Sequence, residues 1–402
     1  MKTQLKAGVA ALSLLAAATF AADIRIDGFP DYDTQINAIK DGLPQHNIEM
    51  LKNNHGDHHN KLKTNLATGS GAGDVVLIDV GFIGSFVNAG GFVDLSDFYK
   101  GMAGDYASYA VEAGKGNDGK QYAVPVDLGP GVMYFRRDYM EDMGFDLDEV
   151  MTDWDTYVAY GAELKKKGIL LIGNASAIAN AYYRFNVAEG EGLYFDADGK
   201  SLVTSERFVR GFELAKAVRD GGMDGNISEW TEDWYAGFRE GKFATQMSGA
   251  WLLGHLKNWI APDTSGLWGV SNLPAGTYGT WGGSYLAIPK QAKNPAAAWD
   301  LIQYMISEDI QLAGFKNIAA FPAHTGTYSD PSFNESIEFL RGQKARQMFA
   351  NIANNITPVT PMNGDLIAED LVNQALDKVL NDGVSIEKAL KDAEKQIKRR
   401  VR

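Results

Sequence analysis

Short apolar runs alternate with amphipathic stretches from residue 24 onward, and the alternation sets the secondary structure to expect. Ile24 to Asp27 predicts a strand and residues 31–40 a helix, after which Ile48 to Leu51 predicts a second strand. His59, Leu62 and Leu66 recur at helical spacing and predict a second helix closed by Gly69. The run Asp74 to Asp79 (DVVLID) lies between Gly73 and Gly81 and predicts a strand buried on both faces. Strands separated by helices of this length make βαβ units, hence a parallel sheet covered by helices. Gln121 to Val126 and Val132 to Arg136 read as two strands joined by Asp127-Leu128-Gly129-Pro130-Gly131, a crossing between lobes. A second α/β region follows, with a helix over residues 155–167, a strand at Ile169 to Ile172 and a helix over Glu206 to Arg219 capped by Ser205. Asn294 and Pro295 open a further helix, and the last helix places Ile386, Ala389, Leu390, Ala393, Ile397 and Val401 on one face. No repeat and no long Pro/Ser linker interrupts this pattern, so two α/β lobes joined by short crossings are expected.

The N-terminus changes the picture. Lys2 and Lys6 precede an apolar, small-residue stretch ending near Ala22, which reads as a secretory signal peptide over residues 1–22. The stretch is too short for a membrane span. The chain has 402 residues and no cysteine, which removes disulfides, thiolate nucleophiles and Cys-based metal sites. Its formal net charge of −13 argues against nucleic acid as a partner, because holding polyphosphate requires cations that displace counterions. A soluble monomer in the periplasm is the expectation.

Catalytic motifs are sparse. Gly69-Ser70-Gly71-Ala72-Gly73 precedes a strand, whereas a phosphate loop must follow one, so it reads as a turn. Asp196-Ala197-Asp198-Gly199-Lys200 begins like a calcium loop but has Arg207 where a bidentate Glu is needed. His55 and His59 stand at i, i+4 without an evident third ligand and read as a packed or solvent-facing pair. No cofactor and no metal are expected. Aromatics carry the stronger signal: Phe29, Phe82, Trp230, Trp234, Trp251 and Trp281 stand beside Gly and Asp at expected element ends. Flat rings stack on the C–H faces of sugars, and carboxylates take their hydroxyls. Asp27, Asp79 and Asp127 fall at the C-terminal ends of expected strands, where open α/β sheets place ligands.

In order and spacing, GSGAGDVVLID, GKQYAVPVDLGPGVMYFRRDYMEDMG, EGKFATQMSGAW, WGGSYLAIPKQAKNPAAAWDLIQYM and IAAFPAH resemble the maltose-binding-protein-like extracellular solute-binding proteins of sugar ABC importers. The resemblance spans almost the whole chain after the leader. It implies a type II periplasmic-binding-protein (Venus-flytrap) fold, with residues 23–127 and 282–325 in one lobe and 128–281 and 326–402 in the other. It also implies a non-enzymatic protein that captures a mono- or oligosaccharide, closes on it and delivers it to ABC permease subunits. Carried over by position, the ligand-binding residues would be Phe29, Asp31, Asp57, His58, Asp79, Phe82, Asp127, Tyr182, Tyr183, Trp234, Trp251, Trp281, Gly282 and Gly283. Asn180 belongs with Tyr182 and Tyr183. The family's paired aromatics near the C-terminal helices are replaced by Met362-Asn363-Gly364-Asp365, so maltodextrin specificity is not carried over. Two alternatives stay open: a binding protein for a non-sugar solute such as a polyamine, and an exported glycoside hydrolase, which turnover of an oligosaccharide would reveal.

Overall fold

The computed structural model describes residues 21–401. The expected leader lies outside the described residues except for its last two, and Ala22 already opens the first strand. No described helix is long and apolar enough to cross a membrane.

Eight strands form one connected mixed sheet: β1 (Ala22–Gly28), β2 (His46–Lys52), β3 (Val75–Asp79), β4 (Ala123–Arg136), β5 (Thr245–Gly249), β6 (Trp268–Ser271), β7 (Thr280–Ala287) and β8 (Phe321–Pro322). β1 pairs in parallel with β2 and β3, as the βαβ pattern requires. The expectation of an all-parallel sheet is corrected beyond that point, because β7 returns antiparallel between β3 and β4. β3 is buried on both faces, with Val75, Val76, Leu77 and Ile78 essentially inaccessible.

The crossing at residues 121–136 also differs from expectation. It is not two strands but one, and all fourteen residues of β4 are buried. Its first half pairs with β7 and β8, and its second half with β5 and β6. Pro125 and Pro130 lack the N–H that a ladder needs. The register with β7 slips between Pro125 and Asp127 and again between Leu128 and Pro130, which bends the strand without breaking it. A strand at Ile169 to Ile172 does not form. Leu170 and Ile172 make only isolated bridges, to Phe243 and Asp224.

Helices cover the sheet. On the first lobe these include α1 (Tyr32–Ile39), α2 (His55–Thr68) and α3 (Val80–Val87). Gly69 ends α2 at φ 69°, the left-handed cap its sequence predicts. The second lobe carries α4 (Trp154–Lys166), α5 (Ser176–Phe185), α6 (Glu206–Asp220), α7 (Glu232–Glu240) and α8 (Leu252–His255), and near the C-terminus α9 (Asp365–Asn381) and α10 (Ile386–Arg400). Ser205 precedes α6 but makes no side-chain cap, and its Oγ is buried without a partner. One apolar core gathers around β1, β3 and β7 and a second around α5, α6, α9 and α10, with β4 contributing to both. The chains cross so closely at the bend that a Cβ on Gly129 would stand 2.2 Å from the Trp281 carbonyl oxygen.

Candidate functional site

A cavity of about 1650 Å³ opens between the lobes, and residues of both lobes and of the crossing strands line it. On the first-lobe wall, β1 ends at Gly28 and the chain turns through Phe29, Pro30 and Asp31 into α1. Asp31 holds a left-handed φ of 77°, unusual for a residue with a Cβ. Trp230 (φ 63°) and Ala319 (φ 56°) also have a positive φ and line the same cavity, so backbone strain gathers around this space.

The rings of Phe29, His55, His59 and Phe82 interlock on this wall. His59 stacks on Phe82 with centroids 3.9 Å apart and planes within 11°, and Phe29 meets His55 edge-on at 5.1 Å. His59 donates from Nδ1 to the His55 carbonyl (2.7 Å), and its Nε2 accepts from the Asp79 backbone N–H (3.0 Å). Both ring nitrogens are thereby engaged in one neutral tautomer. Burial pushes the imidazolium pKa down to about 3. Asp79 caps α3 through a bond from the Gly81 N–H (2.8 Å), and its other oxygen lies 3.5 Å from His55 Nε2.

Crossing strands make the floor. Asp127 accepts from the Tyr32 hydroxyl and from Ser284, its pairing partner on β7. These bonds only partly offset the loss of water: burial raises the carboxyl pKa to about 6, and Asp79 nearby adds to the rise. Gly282 (φ 90°) and Gly283 (φ 122°) occupy backbone conformations that L side chains rarely adopt, which lets β7 press against β4 here.

The opposite wall belongs to the second lobe. Trp251 donates from Nε1 to the Trp281 carbonyl (2.7 Å), which fixes its ring over the crossing. Trp230 stacks on it at 5.7 Å and 22°. His255 stands edge-on to both indoles. Toward the C-terminal helices the lining becomes polar: Asn180, the Arg184–Glu369 ion pair, Asn363, Asp370, Asn373 and Arg400.

Of the residues expected to bind ligand, the cavity brings together Phe29, Asp31, Asp79, Phe82, Asp127, Trp251, Trp281, Gly282 and Gly283, with Asn180 beside them. Five lie elsewhere. Asp57 is exposed on the first turn of α2, outside the lining. His58, its neighbour, faces the core and bonds the Leu77 carbonyl (2.6 Å). Tyr182 packs edge-on against Trp154, and Tyr183 is fully buried on Phe208 with its hydroxyl on Asn180. Trp234 is buried behind Trp230 and bonds Gln246 (3.2 Å). In each of these cases helical phase turns the side chain away from the cleft. Asp27, read as a strand-end ligand group, instead clamps Arg25 and the Gly73 N–H beneath the sheet.

Trp230, one of the aromatics that the sequence singles out, also lines the cavity, whereas Tyr32, Ser284 and His255 line it and were not among the expected ligand residues. His255 follows Trp251 by four residues, so the helical spacing held the signal; Ser284 directly follows Gly282-Gly283 in the crossing.

Two α/β lobes that share a bent strand and face each other across an aromatic, polar-floored cleft define a two-lobed binding protein. The chain belongs to the bacterial extracellular solute-binding proteins, whose family model matches residues 40–340. Members of this family bind solutes rather than transform them. The chain is similar to the arabinooligosaccharide-binding protein of Bacillus subtilis (strain 168), with 22% identity over 338 residues, 80% of this chain and 77% of the relative. Among solved structures it is similar to an extracellular solute-binding protein of family 1, with TM-score 0.83, 25% identity and coverage of 94% of this chain and 99% of that one. It is also similar to the ABC-transporter-associated binding protein of B. animalis subsp. lactis Bl-04 in complex with β-1,6-galactobiose, with TM-score 0.78, 21% identity and coverage of 93% and 96%.

Proposed function

We propose that this protein captures an oligosaccharide in the interlobe cleft, closes around it and presents it to the permease of an ABC importer. The arrangement of the cleft carries this reading: ring faces stand on both walls, Phe29 and Phe82 opposite Trp230 and Trp251, above a carboxylate floor at Asp127. A pyranose or furanose between such walls stacks its C–H faces and gives its hydroxyls to Asp31, Asp79, Asp127 and Asn180. The relatives' sugars support the same class.

Closure follows from differential binding. A ligand held by one lobe that gains contacts from the other favours the closed state by that difference in affinity, and a ligand touching one lobe shifts nothing. β4 and β7 are the natural hinge, with the lobes as 23–127 plus 282–325 and 128–281 plus 326–402. Export through a cleaved leader over residues 1–22, residence in the periplasm and a monomeric state complete the proposal.

Titration of the mature protein with mono- and oligosaccharides, followed by Trp fluorescence and thermal shift with product analysis, tests it. A saturable shift with an oligosaccharide and no product supports the reading. Silence across all sugars overturns it.

A further inference from the structure

Trp259 is half exposed, at 50%, on the rim of the same cavity. It follows Trp251 and His255 at i, i+4 and i+8, on a turn that widens to π-helical geometry over Leu256–Ile260. Its indole is nevertheless pinned. Nε1 donates to His255 Nδ1 (3.0 Å), and Tyr235 and His255 meet it edge-on at 5.1 and 5.7 Å. Neither ring stacks on it. An indole this exposed adds little to the core, yet its hydrogen bond holds one orientation, which reduces the entropy lost when a ligand packs against it. The bond also requires a neutral His255 with its proton on Nε2, and burial, by lowering this histidine's pKa, favours that form.

The rings form a row: Trp251, tied to the crossing, carries Trp230, itself 47% exposed, on its face; His255 stands at the edge of both, and Trp259 lies beyond His255. The cavity, at about 1650 Å³, exceeds the roughly 300–1,000 Å³ of pockets for drug-sized ligands. We infer that Trp259 is an outer stacking platform for a distal sugar ring, so that the ligand class is an oligosaccharide longer than a disaccharide whose far units run outward along this row. The inference rests on the sugar-binding reading and adds length selection to it.

The test is calorimetric titration of the full mature protein with matched two-unit and four-unit arabino-, β-1,6-galacto- and malto-oligosaccharides, using wild type, Trp259→Ala and Trp259→Phe. Wild type should bind the four-unit member of at least one pair more tightly than the two-unit member. Trp259→Ala should cut that affinity ratio about tenfold, and Trp259→Phe, which keeps a flat face, should restore most of it. A ratio that Trp259→Ala leaves unchanged, or equal wild-type affinity for both lengths, overturns the platform while leaving the sugar reading standing. Absence of binding to every sugar overturns both.

Discussion

Asp127→Asn should make the unliganded protein more stable and the sugar complex weaker, with a pH signature that separates charge from packing. In the native state burial holds the Asp127 carboxyl at about 6, against an ordinary value of 3.8, even with the Tyr32 and Ser284 hydrogen bonds in place. That gap corresponds to about 3 kcal/mol at 1.36 kcal/mol per pKa unit. The sign follows from proton counting. Between pH 4 and 6 the native state holds the proton and the unfolded chain does not, so stability is full below 3.8 and falls as pH rises through 6. The amide carries no charge and escapes this loss. Urea unfolding followed by Trp fluorescence at half-unit steps from pH 4 to 8 should therefore show the variant gaining about 3 kcal/mol on wild type across that window. With an unfolding entropy of about 2.1 cal/mol/K per residue, the gain at pH 7 corresponds to about 4 °C in Tm. Affinity for the cognate sugar at pH 7 should fall about 10- to 150-fold, the worth of a hydrogen bond to a charged acceptor of about 1.5–3 kcal/mol. A stability difference independent of pH would refute the desolvated-carboxylate argument.

Three further outcomes follow from the geometry. Trp251→Ala removes the ring beneath Trp230 and the bond to the Trp281 carbonyl, and should weaken sugar binding on the order of 100-fold by calorimetry; a loss under about threefold contradicts its place in the wall. His59 stays neutral in the native state to about pH 3, so the unfolded chain protonates first and stability is lost as pH falls through 6.5; the stability gap between wild type and His59→Gln should narrow by about 2.3 kcal/mol between pH 6.5 and 4.5 in urea titrations. Gly129→Ala forces a Cβ to 2.2 Å from the Trp281 carbonyl and should lower Tm by more than about 5 °C, whereas Gly56→Ala, in open space on α2, should raise stability by about 1 kcal/mol.

Much of this was legible in the residues because local chemistry and global fold agreed. The apolar run Val75–Ile78 between two glycines admits only a doubly covered strand, and the chain end beyond it brings Asp79 and Phe82 to the cleft. What failed was phase and continuity. Gly129-Pro130-Gly131 reads as a break, yet slips of register absorb the missing donors and keep β4 whole. Tyr183 and Asn180 share a helix, and the local sequence marks both as candidates; only packing on Phe208 turns the tyrosine in and leaves the amide at the cavity. Trp230 and Trp234 differ in the same way: the second is the third residue of α7, where the helix faces the core, while the first precedes the helix at a positive φ that no propensity predicts. Tyr32 reached the site through a contact with Asp127, ninety-five residues away, which no local pattern encodes.

The return of β7 between β3 and β4 also governs the order in which the molecule can be assembled. Val76 pairs with Ala287, so the first-lobe sheet stays open until that distant segment has been made. At about 5–20 residues per second, roughly 10 to 40 s of synthesis separate the two partners. During that interval one long side of β3 has no strand to bond, and pairing across so large a sequence separation is slow even after the chain is complete. A nascent chain of this topology therefore remains without a finished lobe, and accessible to holding chaperones, until more than two thirds of it has been synthesised.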